Sequence, residues 1–207
     1  MADQETQSER FSDEDATPAR KRPRPGERRL QILQTLAAML EQPGAERVTT
    51  ASLAAKIGVS EAALYRHFAS KAQMFEGLID FVDQSVIGLI RQVTDREPAG
   101  PVQASRIVAL LLQFAEKNPG MSRVMIGDAL VLEHERLQER INLLFDKIEA
   151  QLRQSLKGIE SATPTADAQL VASLLVAFMQ GRLQRFARSG FKRLPSEHLQ
   201  AALARML

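Results

Sequence analysis

The stretch Tyr65-Arg66-His67-Phe68-Ala69-Ser70-Lys71 gathers a phenol, a guanidinium, an imidazole, a hydroxyl and an ammonium without a carboxylate among them. Such groups donate hydrogen bonds to phosphate oxygens and to the acceptor edges of bases, and the Arg and Lys charges suit a polyanionic backbone. Catalysis is a poorer match. The chain has three histidines, and outside this stretch His134 sits among Glu133, Glu135 and Arg136, a solvated run with no H-E-x-x-H pattern, while His198 stands alone. There is no cysteine, which excludes a disulfide framework, a Cys-ligated zinc site, an iron–sulfur cluster and thiolate catalysis. Gly181 and Gly190 are isolated, so no phosphate-cradling glycine loop is formed either. Neither enzymatic activity nor a metal or cofactor is expected.

Positioning these donors requires a particular scaffold, and the flanking residues supply one. Thr50 is placed to cap a helix whose inner face is Leu53, Ala54 and Ile57, and Gly58 allows the left-handed turn that ends it. Ser60 then caps a second helix with Glu61 in its first turn, and Ala54, Ala55, Ala62 and Ala63 keep the crossing of the two helices tight. Leu64 and Phe68, four apart, point inward and leave Tyr65, Arg66 and His67 on the other sides. Ser70-Lys71-Ala72-Gln73 reads as a capping box opening a third helix, whose free N–H groups together with Lys71 could hold a phosphate. This is a helix-turn-helix, in which the second helix enters the major groove. The plainer readings are a packing aromatic for Tyr65, a surface histidine for His67, and a helix-turn-helix that is a structural corner only.

The remainder is helical by pattern. Residues 27–42 carry the stripe Leu30, Leu33, Ala37 and Leu40, broadened by Ile32, Leu36 and Met39 and stopped by Pro43-Gly44; further helices are predicted over 50–57, 60–68, 71–94, 102–117, 121–132, 134–157, 166–188 and 196–207. No alternating β pattern of useful length occurs, so the fold class is all-α. Residues 1–26 are too polar to order and read as a disordered extension, 27–72 as a DNA-binding unit and 73–207 as a helical body. Charge follows this division. The net +2 is composed of −5 over residues 1–19, +6 over 20–71 and +1 over 72–207, so the basic block, including the Arg20-Lys21-Arg22-Pro23-Arg24 arm, coincides with the donor-rich motif. The apolar runs at 107–112 and 174–179 fall short of the ~20 residues of a membrane span, and the polar start is unlike a secretory signal; a cytoplasmic protein is expected.

The succession Thr49-Thr50, apolar helix, Gly58-Val59-Ser60, Leu64-Tyr65, Phe68 and Ser70-Lys71 resembles the N-terminal domain of the TetR family of transcription regulators, with Ala62 where many members carry Gly. Ser60 to Phe68, Glu116 to Gly120, Leu137 to Phe145 and Ile148 to Gln154 are similar, more narrowly, to a nucleoid-occlusion branch of that family, over about residues 28–193. The resemblance implies a homodimer that binds palindromic chromosomal DNA, antagonises polymers of the tubulin-like division protein FtsZ, and so blocks septum formation over the nucleoid. It implies Thr49, Thr50, Ser60, Ala62, Tyr65, His67 and Lys71 as DNA contacts, which Arg66 joins on its chemistry, and a surface including Phe81, Lys117 and Asn118 for FtsZ. Without the resemblance, Phe81 reads as ordinary core and Lys117 as a favourable cation at a helix C-terminus. The pairing helices are expected at 134–157 and 166–188, the second carrying Leu170, Val171, Leu174, Leu175, Val176 and Phe178, with Ala177 and Gly181 small enough for close approach, and the two recognition helices about 34 Å apart. Two alternatives stay open: a ligand-responsive TetR-type repressor, with Leu110, Phe114, Met121, Met125 and Met179 around a pocket rather than in plain core, and a helical interaction module.

Overall fold

Helix α1 (Glu27–Leu40) opens the described part of the chain, which in this computed structural model comprises residues 26–42, 48–131, 133–157 and 164–207. The extension at 1–26 (Gly26 apart), the Arg20–Arg24 arm, the Pro43-Gly44 break and most of the 158–165 loop lie outside these residues. Ile32, Leu36, Ala37 and Leu40 are the buried face of α1, Leu33 is half-buried, and Leu30 is 51% exposed. The buried face is thus the part of the broadened sequence stripe that includes Ile32 and Leu36, with Leu30 left outside it. Its direction is set by the three helices that cover α1, and Leu30 lies in the first turn, two turns before α6 meets Ala37.

Helices α2 (Thr50–Ile57) and α3 (Glu61–Tyr65) follow, then α4 (Lys71–Thr94), α5 (Pro101–Lys117), α6 (Pro119–Met125), α7 (Glu135–Ser155), α8 (Pro164–Arg188) and α9 (Leu199–Met206). No strand is formed among the described residues. Two local features depart from the sequence reading. Asn118-Pro119-Gly120 does more than end α5: Pro119, whose missing N–H is no loss in a first turn, starts α6. The helix predicted over 121–132 stops at Met125, because Gly127 takes a left-handed φ of 78° and only a 3-10 turn at Asp128–Leu130 follows.

One buried apolar cluster runs through the fold from Ile32 in α1 to Leu203 in α9. Met121, Met125 and Met179 are buried within it, with Leu110 and Phe114 packed at its edge. Gly120 is where α6 crosses α1: a β-carbon there would overlap the Ala37 carbonyl oxygen. Arg123 reinforces the crossing, its Nη1 donating to the Leu40 carbonyl at 3.3 Å and its Nε 3.4 Å from Asp128.

Ion pairs fix the direction of the long helices. Lys71–Glu133, Glu76–Arg136 (2.7 Å), Asp80–Arg140 and Asp83–Lys147 (2.7 Å) rise together in number, so α4 and α7 run parallel with a charged seam between them. Helix α8 runs back down α7: Gln169 bonds Glu149 and Arg153, while Gln180 to Gln184 share a groove with Gln138 to Asn142. The end of α8 therefore returns to the level where α4 begins. No helix among the described residues is long and apolar enough to cross a membrane.

Candidate nucleic-acid interface

The cap of α2 is Thr49, not Thr50. Thr49 is extended at φ −96° and ψ 156°, its Oγ1 accepts the Ser52 N–H at 3.1 Å, and Ser52 Oγ accepts the Thr49 N–H at 3.1 Å. This reciprocal box satisfies two N–H groups that a helix start leaves open. Thr50, one position on, is helical, and its hydroxyl donates to Glu61 Oε2 at 2.6 Å, tying α2 to the start of α3. Gly58 ends α2 in the left-handed conformation (φ 76°, ψ 42°), its N–H shared between the Ala54 and Ala55 carbonyls.

Ser60 caps α3, its Oγ accepting the Ala63 N–H at 3.3 Å. The helix is shorter than the predicted 60–68, but helical bonding continues beyond it. His67 and Phe68 both donate to the Leu64 carbonyl, at 2.9 and 3.1 Å. Leu64 and Phe68 are buried, as their spacing requires, and Ala62, Arg66 and His67 are exposed, with Tyr65 at 45%. None of the Tyr65, Arg66 or His67 side chains bonds to another described residue, so the row of donors faces outward unused. Ser60 and Thr49 flank it at the surface.

Arg29 is a positioning residue that charge counting alone missed. Its Nη1 donates to the His67 carbonyl at 2.6 Å, and its guanidinium lies 4.0 Å over the Phe68 ring, holding the end of the recognition turn against α1. Nothing local marks it; the contact spans thirty-eight residues. At the far side Ser70 Oγ accepts the Gln73 N–H at 3.2 Å, while Gln73 reaches back to the Ala69 N–H at 2.8 Å, one residue before the expected partner. Lys71 is part-buried, paired to Glu133 and 5.6 Å from the centre of the Phe75 ring.

The second predicted surface lies further up. Phe81 on α4 is 43% exposed, so it is not a core residue. Lys117 is exposed at the end of α5; Asn118 is half-buried, its amide donating to the Phe114 carbonyl at 2.7 Å. They sit on helices that pack together, α4 against both α5 and α6. On α8, Leu170 (59% exposed), Leu174 (53%), Ala177 and Gly181 form one outward stripe, while Leu175, Val176, Met179 and Leu183 are buried.

Residues 32–78 match the family model described as bacterial regulatory proteins of the tetR family, and residues 101–206 match a tetracyclin repressor-like, C-terminal domain of SlmA-like type. The nucleoid occlusion factor SlmA of Idiomarina loihiensis is 50% identical over 177 residues, covering 84% of this chain and 90% of that protein. The same-named protein of Shewanella oneidensis is 51% identical over 174 residues, covering 83% and 88%. The fold is similar to a transcriptional regulator from Rhodococcus sp. Rha1, with TM-score 0.70 and 21% identity over 86% of this chain and 92% of the other. It is similar also to the TetR family regulator PfmR from Thermus thermophilus, with TM-score 0.66 and 21% identity over 86% and 97%. An N-terminal helix-turn-helix whose donors face outward, a TetR-like all-α fold and half-identity to SlmA proteins over most of both chains lead to one conclusion: the chain belongs to the SlmA family of nucleoid occlusion factors, TetR-type DNA-binding proteins.

Proposed function

We propose that the chain binds palindromic chromosomal sites as a dimer through α3 and its flanks, and that the DNA-bound dimer antagonises FtsZ polymers so that no septum forms over the nucleoid. Residues 27–72 are the DNA-binding unit, with Thr49, Thr50, Ser60, Ala62, Tyr65, Arg66, His67 and Lys71 as its contacts. Residues 73–207 carry the dimer face, on α7 and α8, and an FtsZ-binding surface that includes Phe81, Lys117 and Asn118. It acts without chemistry of its own, associated with the nucleoid. The observation that carries the reading is the outward row at the end of α3 and just after it: the side chains of Tyr65, Arg66 and His67 have no partner within the described residues, and base edges and phosphates suit their chemistry. The exposure of Phe81 supports the second surface, since an aromatic held out of the core is a typical anchor for a protein partner.

The test is FtsZ polymerisation followed by light scattering, with protein alone and with protein saturated by a duplex it selects from a random pool. Filaments disturbed most in the presence of DNA, and restored with a Phe81→Ala protein, are the expected result. Undisturbed filaments at saturating complex would overturn the FtsZ reading, and a small molecule that releases the DNA would favour a repressor instead.

A further inference from the structure

The last turns of α8 and the segment after it hold Arg182, Arg185, Arg188, Lys192 and Arg193, with no acid anywhere in residues 182–193. The rest of the body, from residue 72, is net acidic without them. Four of the five are exposed and unpaired: Arg185, Arg188, Lys192 and Arg193 make no side-chain hydrogen bond or ion pair with any described residue. Arg182 alone is engaged, donating to the Glu197 carbonyl at 2.9 Å and stacking on Phe178.

The scaffold beneath them is fixed. Gly190 and Phe191 both take left-handed φ values, 63° and 64°, Phe191 packs edge-on to Phe186 at 5.1 Å, and Ser189 Oγ accepts the N–H groups of Lys192 (3.1 Å) and Arg193 (2.9 Å). Arg185, Lys192 and Arg193 thus line one open depression with Leu194, Ser196 and Glu197. Position supplies the partner. Helix α8 runs antiparallel to α7, Gln169 bonding Glu149 and Arg153 at one end and Gln184 sharing a groove with Gln138 towards the other, so by helical rise Arg188 comes near the level of His134, beside the Glu133 that pairs with Lys71. The cluster is at the end of the body nearest the helix-turn-helix.

We propose that Arg185, Arg188, Lys192 and Arg193 form a second, sequence-independent contact with the phosphate backbone of the same duplex, beyond the bases read by α3. The inference rests on the DNA-binding reading above. Four unpaired cations on a rigid turn facing the DNA end suit a backbone, which asks for charge and no base-specific geometry.

The experiment measures affinity for the selected duplex by fluorescence anisotropy across a salt series, using the full chain, a R185Q/R188Q/K192Q/R193Q variant and a Tyr65→Ala variant. Melting by circular dichroism checks that each is folded. The expected result is a four-glutamine variant that still selects the same sequence but whose log–log salt slope is shallower by at least about 2, at about 0.9 for each lost phosphate contact. A variant with Lys at the three Arg positions keeps the parent slope. A slope unchanged by the glutamines overturns the proposal, including where the variant loses binding to anionic vesicles, which would assign the cluster to lipid. Failure of the DNA-binding reading looks different: the parent chain would then select no sequence and Tyr65→Ala would change nothing.

Discussion

Lys71 holds two positions of value at once. It stands at the first turn of α4, where a phosphate would meet free N–H groups, and its ammonium is already committed to Glu133. As the phosphate contact proposed above, Lys71 would be shared between DNA and an internal carboxylate. A part-exposed pair of this kind is worth about 1 kcal/mol or less. Glu133→Gln should then raise affinity for the selected duplex up to about fivefold, while Lys71→Ala lowers it about tenfold; anisotropy titrations at one salt concentration decide both. Equal affinity of Glu133→Gln and parent would mean that the pair is not broken on binding. Thr49 invites a separate check, because its hydroxyl holds α2 in place through Ser52. Thr49→Ala should lower unfolding stability by about 1 kcal/mol, read from urea melts.

At the level of helices, glycine separates two situations that the sequence alone does not distinguish. Gly120 has the Ala37 carbonyl where a β-carbon would go, so Gly120→Ala must push α6 from α1. A loss of about 3 kcal/mol is expected. Gly88, within α4, has nothing within 4 Å of that position, and Gly88→Ala should add about 0.5–1 kcal/mol through helix propensity. Urea unfolding of the two variants should move in opposite directions. The same contrast marks what was legible beforehand. The Gly58 turn, the Ser60 cap and the inward Leu64–Phe68 pair follow from chemistry within four residues, and they are found as read. The exposure of Leu30 on α1, the tie of Arg29 to His67 and the capture of Lys71 by Glu133 are set by helices distant in sequence, where periodicity and charge are silent. From its own residues Phe81 reads as core, and only the family resemblance places it on a surface; its exposure depends on how α1, α5, α6 and α7 cover α4.

For the whole molecule, the outward stripe of Leu170, Leu174, Ala177 and Gly181 is the proposed seam between two copies. Leu170→Asp together with Leu174→Asp should yield monomers in sedimentation velocity while the melting of the single chain stays near that of the parent, since neither leucine is in the core. Affinity for a palindrome should fall steeply, because each monomer then reads one half-site alone. Helix α4 gives that dimer a mechanical property. It is unbroken over 24 residues, about 36 Å, with its foot in the DNA-binding unit and Phe81 ten residues up the shaft. Such a rod is a lever arm. A tilt of about 5° at the foot carries Phe81 sideways by about 1.3 Å and the tip by about 3 Å, on that length. On the proposed DNA and FtsZ contacts, the spacing and twist of a half-site would thereby be converted into the placement of one aromatic ring.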